Sequence, residues 1–133
     1  METKYLQELK HDFSDVPFWR HVGCVIESVE EGQAVLSLTI QHHHINGNMT
    51  LHGGMYATLL DNAMGLAARS LGERKVATTN MNIHYLSSIG EGTIYARGRV
   101  VHTTKRTITA EARVETADGE LLAMGTGSFR VFR

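Results

Sequence analysis

Apolar residues alternate with others at Val22, Cys24 and Ile26, and again at Ala34, Leu36, Leu38 and Ile40. Glu30-Glu31-Gly32 interrupts the alternation. A period of two broken by a turn signal predicts an antiparallel hairpin with one buried face. Residues 41–50 are polar and rich in histidine, with Asn46-Gly47-Asn48 as a turn. Residues 52–71 then lose the period of two and form the longest turn-free apolar run, stopped near Gly72. That run predicts a helix ~30 Å long, apolar around most of its circumference and therefore central. Met55, Tyr56, Leu59, Met64 and Leu66 are its core or interface residues. Strand-like segments follow at 76–87, 93–104, 106–116 and 121–132. Ile108, Ala110, Ala112 and Val114 share one face of the third, and Ala117-Asp118-Gly119-Glu120 marks a hairpin. Tyr5, Leu6 and Leu9 among charges predict a short amphipathic helix over residues 1–12, and residues 13–20, with Pro17 and Trp19, read as an ordered connector. The order is hairpin, helix, four-stranded meander. It predicts an α+β domain spanning residues 1–133, with an antiparallel sheet wrapped around one long helix.

Composition narrows the picture further. A chain of 133 residues suits one core. A net charge of −1 with neutral histidines implies no broad basic field for nucleic acid. The single cysteine, Cys24, fits a reducing compartment and reads as a small buried apolar residue. Without a basic-then-apolar leader or a run of about 20 apolar residues, the expectation is a cytoplasmic protein that does not enter the membrane.

Asp61 is the misfit. It stands in the middle of the apolar helical run, where a carboxylate is costly unless paired or hydrogen-bonded. The same segment opens on His52-Gly53-Gly54. A helix start carries free backbone N–H groups and a positive dipole end. Two glycines there allow a ligand to approach the backbone closely.

Asn46, His52-Gly53-Gly54, Asp61 nine residues after the histidine, and Thr79-Asn80-Met81-Asn82-Ile83-His84-Tyr85 together resemble the hotdog-fold acyl-CoA thioesterases, in particular the phenylacetate-pathway type. The order of elements is similar from about Val22 onward. The resemblance implies a hotdog fold and hydrolysis of an acyl-CoA thioester, with no metal and no cofactor beyond the coenzyme A of the substrate. It implies that the Gly53 N–H polarises the thioester carbonyl and that Asp61 acts as general base or as nucleophile. It implies that Asn46 sits beside the reacting group and that Thr79 orients the attacking water. Thr78, its neighbour, would point to the opposite face of the strand. His52 would place the thioester or hold the loop, and Gly54 and Asn80 would contact substrate. Eight residues on one straight helix separate Gly53 from Asp61 by ~12 Å. The two would therefore meet only across a two-fold axis, in a homodimer or a tetramer built as a dimer of dimers.

The remaining signals are weaker. His42-His43-His44 invites a metal reading, but alternate residues on a strand face opposite ways, and a solvated histidine run is the better expectation. His84 and His102 read as strand-face residues. Arg97, Arg99, Lys105 and Arg106 are candidates for the nucleotide phosphates of coenzyme A. Two alternatives remain open: a non-catalytic acyl-CoA-binding or sensing module, and an enoyl-CoA hydratase or dehydratase on the same fold.

Overall fold

The computed structural model describes residues 3–72 and 74–132; Met1 and Glu2, at the start of the predicted first helix, lie outside the described residues. The chain forms helices α1 (Lys4–Ser14), α2 (Pro17–Val22) and α3 (Gly53–Arg69) and strands β1 (Val25–Glu30), β2 (Gln33–Thr39), β3 (Lys75–Tyr85), β4 (Thr93–Thr103), β5 (Thr107–Thr116) and β6 (Leu121–Phe132). The six strands make one antiparallel sheet in the order β1-β2-β4-β5-β6-β3. The sheet curls around α3, as the hydrophobic pattern requires. This is the hotdog architecture, an α+β fold.

One expectation needs correction. The strands after α3 are not a simple four-stranded meander. β4, β5 and β6 run in sequence, but β3 pairs with β6, and the free edge of β4 is taken by β2. Hydrophobic alternation fixes which face of a strand is buried, not which neighbour it pairs with. The connector is a short helix, α2, with Pro17 at its first turn, where a missing N–H costs nothing. Its Trp19 is buried.

α3 lies close to the sheet because the sheet is lined with small residues beneath it. Gly98 pairs with Ala112, and Ala112 pairs with Gly125. A Cβ placed on Gly98 would fall 2.5 Å from the Ala63 carbonyl oxygen, closer than any real contact. Leu59, Leu60, Ala63, Met64, Leu66 and Ala67 of α3 are fully buried against this surface. The helix is not buried all round, however. Ala57, Thr58, Asp61, Gly65 and Arg69 form a partly open stripe at helical spacing. Asp61 sits on that stripe and is half-buried, so its place in an apolar helix requires no fully desolvated charge.

α1 docks on the far end of α3. The Tyr5 hydroxyl lies 2.7 Å from the carbonyl oxygens of both Arg69 and Gly72, and Leu6 and Leu9 join the core.

Candidate active site

The turn that leads into α3 is built from side chains bonded to backbone. Asn46 Oδ1 accepts from the Asn48 N–H at 2.9 Å and the Thr50 N–H at 3.1 Å, which closes a tight polar loop. That loop holds Met49 at a φ of 63°. With Oδ1 so engaged, only the amide nitrogen of Asn46 is left for other work.

His42-His43-His44 is a turn of 3-10 helix rather than a strand, and His44 is buried rather than solvated. Its Nδ1 accepts from the Gln41 N–H at 2.8 Å, and its Nε2 faces the Val22 carbonyl at 2.7 Å. Burial pushes its pKa below the ordinary histidine value, partly opposed by the Val22 carbonyl. The His44 carbonyl in turn accepts from the His52 N–H at 2.9 Å. His44 therefore pins the corner that opens α3. Among the described residues, no three His, Cys, Asp or Glu side chains are grouped to hold a metal ion.

His52 is the N-cap of α3, and its Nδ1 accepts from the Gly54 N–H at 2.8 Å. Of the two roles expected for His52, this is the loop-holding one. It also reassigns Gly54, whose N–H is taken up by the cap. The Gly53 N–H has no acceptor among the described residues. It points out of the first turn of α3, where the helix dipole is positive. The Tyr85 ring lies against the open side of Gly53, its Cε1 3.5 Å from where a Cβ would stand.

Asp61 receives a hydrogen bond of 2.7 Å from the hydroxyl of Thr78, not of Thr79. The expectation for the two threonines is thus reversed. A β-bulge lies between Thr78 and Asn80 in the β3–β6 ladder. The extra residue is Thr79, whose hydroxyl donates to the Ser128 carbonyl at 3.1 Å. Counting alternate residues back from Ile83 and Met81 points Thr79 inward, but the bulge resets that count. Val76 and Thr78 face the helix instead. Asn80 follows the bulge, exposed on the outermost strand.

Asp61 and Thr78 line a cleft of about 140 Å³. Phe13, Trp19, Leu66, Arg69, Val76 and Phe129 line the rest of it. Phe13 and Trp19 meet edge to face at 5.2 Å. Phe18, the other connector aromatic, is exposed. Asn62 Nδ2 and Arg69 Nε are buried without hydrogen-bond partners. Burial pushes the Cys24 thiol up to about 11, with the Asn62 side chain pulling the other way, so Cys24 is no nucleophile.

The basic residues divide into two groups. Arg97 and Arg99 pair with Glu115 at 2.7 Å and Glu111 at 2.6 Å on the outer face of the sheet, so their charge is already answered. Lys105 and Arg106, in the β4–β5 turn, join Arg74 and Arg130 around an open cleft of about 530 Å³. Arg74 and Arg130 escape a sequence reading because they come from other elements.

A free helix-start amide, a carboxylate anchored by a hydroxyl, and an adjoining apolar cleft are the parts an acyl-transfer site needs. A model of the thioesterase superfamily matches residues 48–123, the stretch that carries Gly53, Asp61 and Thr78. The chain belongs to the thioesterase superfamily. It is a thioester hydrolase by that membership. It is 37% identical over 127 residues to a Halobacterium salinarum protein provisionally named an esterase, covering 84% of this chain and 82% of that one. It is 30% identical over 113 residues to human acyl-coenzyme A thioesterase 13, covering 81% and 80%. Among solved structures, the conserved protein PA5202 of Pseudomonas aeruginosa superposes with a TM-score of 0.87 at 30% identity, over 95% of this chain and 98% of that one. The PaaI protein of Escherichia coli, from the phenylacetic acid degradation operon, shares the fold at a TM-score of 0.89 and 24% identity, over 96% and 92%. No helix of the described residues is long and apolar enough to cross a membrane.

Proposed function

We propose that this thioesterase hydrolyses acyl-CoA thioesters at a site shared between two copies of the chain. The observation that carries the proposal is the pairing of an unengaged Gly53 N–H with an Asp61 fixed by Thr78 on the same helix. The Gly53 amide, aided by the helix dipole, stabilises the oxygen that becomes negative as the carbonyl is attacked. One Asp61 oxygen is held by the Thr78 hydroxyl, and the other is free to take a proton from water. The resulting hydroxide oxygen bonds to the carbonyl carbon, the C–S bond breaks, and the leaving sulfur takes the proton from Asp61. This releases the carboxylic acid and coenzyme A thiol and restores the Asp61 carboxylate. The Asn46 amide nitrogen adds a second donor beside the carbonyl. Thr79 and Asn80 stand on the edge strand, where a partner chain would meet them.

The eight-residue interval on α3 places Gly53 and Asp61 ~12 Å apart, too far for one carbonyl. The partner copy is placed against β3, in a homodimer that pairs this strand with its own copy. β3 is an eleven-residue strand at the sheet edge, and Tyr85 and Leu86 are exposed at its end. A long unpaired edge is a template for another strand. Each two-fold interface then yields two equivalent sites. Lys105 and Arg106, with Arg74 and Arg130, suit the phosphates of coenzyme A through charge-assisted hydrogen bonds.

Thiol release from a panel of acyl-CoAs, followed with a thiol-reactive chromophore, tests the reading. Asp61→Asn is expected to lose at least ~10³-fold in kcat while keeping its fold and size, a loss on the scale of removing a central catalytic group. Near-normal turnover by Asp61→Asn on the best substrate would remove Asp61 from the chemistry.

A further inference from the structure

We propose that Arg69 binds a carboxylate at the far end of the acyl group, so that the preferred substrates are short ω-carboxyacyl thioesters. The proposal rests on the thioesterase reading of the Asp61 site and adds the identity of the acyl group to it.

Asp61, Gly65 and Arg69 are spaced by four, so they share one face of α3. All three line the same cleft. Gly65 has no side chain, which leaves the floor open down to the Phe129 ring. Asp61, where the carbonyl reacts, and Arg69 thereby border one continuous cleft. The Cα atoms of Asp61 and Arg69 are ~12 Å apart along the helix. The two side chains shorten that span, and the cleft holds only about 140 Å³. That volume matches a chain of a few methylene groups.

Arg69 is set up to receive something. Its guanidinium lies over the Phe13 ring, 5.2 Å from the centroid, a cation–π contact that supplies no hydrogen-bond acceptor. Its Nε is buried with no hydrogen-bond partner. Among the described residues, no carboxylate forms an ion pair with it, whereas Arg97 and Arg99 each have one. A buried donor on a charged group is costly when unpaired. A methyl-ended acyl chain would leave that donor unpaired and exclude water from it. A carboxylate would accept from the guanidinium in the two-bonded arrangement that arginine favours. The methylenes between would lie against Phe13, Trp19, Val76 and Phe129.

The test compares glutaryl-CoA with pentanoyl-CoA, which lacks the carboxylate, and with the methyl ester of glutaryl-CoA, which removes the charge at the cost of one added methyl. Wild-type kcat/KM is expected to be at least ~10-fold higher for glutaryl-CoA than for either, the discrimination typical of a site whose polar groups need a partner. Arg69→Gln is expected to bring that ratio close to one, and Arg69→Lys, which keeps the charge but not the fork, to lower it severalfold. A wild-type ratio at or below one overturns the inference and leaves the thioesterase intact, as does a ratio that Arg69→Gln preserves. If Arg69→Gln does not fold, the methyl ester decides, because it needs no substitution. If no acyl-CoA releases thiol, the thioesterase reading fails separately, and the same ratio is read as relative affinity by calorimetry. A tenfold preference for glutaryl-CoA over its ester then supports Arg69 recognition, and no preference ends it.

Discussion

Proline can replace Gly53 at little cost to the helix. Gly53 is the first residue of α3, where proline is favoured and an N–H has no helical partner. The preceding His52 has a ψ of 137°, the extended conformation that a residue before proline adopts. The substitution replaces the N–H hydrogen by a ring carbon and sets a Cβ in ordinary contact with Tyr85, 3.5 Å away, so the fold is expected to stay in place. Gly53→Pro is therefore expected to unfold at or above the wild-type urea midpoint, yet to lose about 10²–10³-fold in kcat, the usual cost of one oxyanion donor. Unchanged turnover in a folded Gly53→Pro protein would show that the carbonyl is polarised elsewhere. At this scale most polar groups around the site already have a partner. The His52 ring holds the Gly54 N–H, the Asn46 carbonyl closes the turn, and the Thr78 hydroxyl donates to Asp61.

Elements meet through positions that no single residue explains. Gly98 on β4 touches the backbone of α3, and Gly98→Ala would force helix and sheet apart. Overpacking of this kind is expected to destabilise by about 3 kcal/mol, read as a lower urea midpoint with an unchanged slope. A midpoint equal to wild type would mean that α3 has room to move. The 3-10 turn at His42–His44 gives a pH dependence. Buried His44 has a folded pKa below its unfolded value, so the unfolded chain binds the proton more readily. Stability contributed by neutral His44 is present above the unfolded pKa of about 6.5 and is lost as pH falls from there toward the folded value. Urea midpoints measured from pH 7.5 to 5 should fall, and His44→Gln should flatten that slope. An equal slope in the variant would assign the effect to other groups.

The whole molecule is where the shared site is tested. In the proposed dimer, Gly53→Pro and Asp61→Asn would each disable both sites. In a mixed dimer, one site carries both substitutions and the other carries neither. After unfolding and refolding together, equal amounts should regain about one quarter of wild-type activity, because half the dimers are mixed and each has one sound site. No recovery, with mixed dimers confirmed by mass spectrometry, would place Gly53 and Asp61 of one chain in one site.

The sequence determined most of the fold by itself. Alternation at residues 34–40 and 106–116, the glycines of the two hairpin turns and the long apolar run defined the strands and α3, because burial of one face leaves a periodic trace. It also marked Gly53 and Asp61, since a glycine pair at a helix start and an acid in an apolar helix both break local rules. Tertiary structure decided the rest. Strand order placed β3 beside β6, because pairing depends on which edges are free and not on a strand's own pattern. One extra residue in β3 turned Thr78 rather than Thr79 toward Asp61, and a bulge exists only relative to the partner strand. Arg97 and Arg99 found carboxylates across the sheet. Phe13, Trp19 and Arg69 came together at one cleft although they lie up to 56 residues apart. Those outcomes depend on contacts between distant segments, which a linear pattern does not encode.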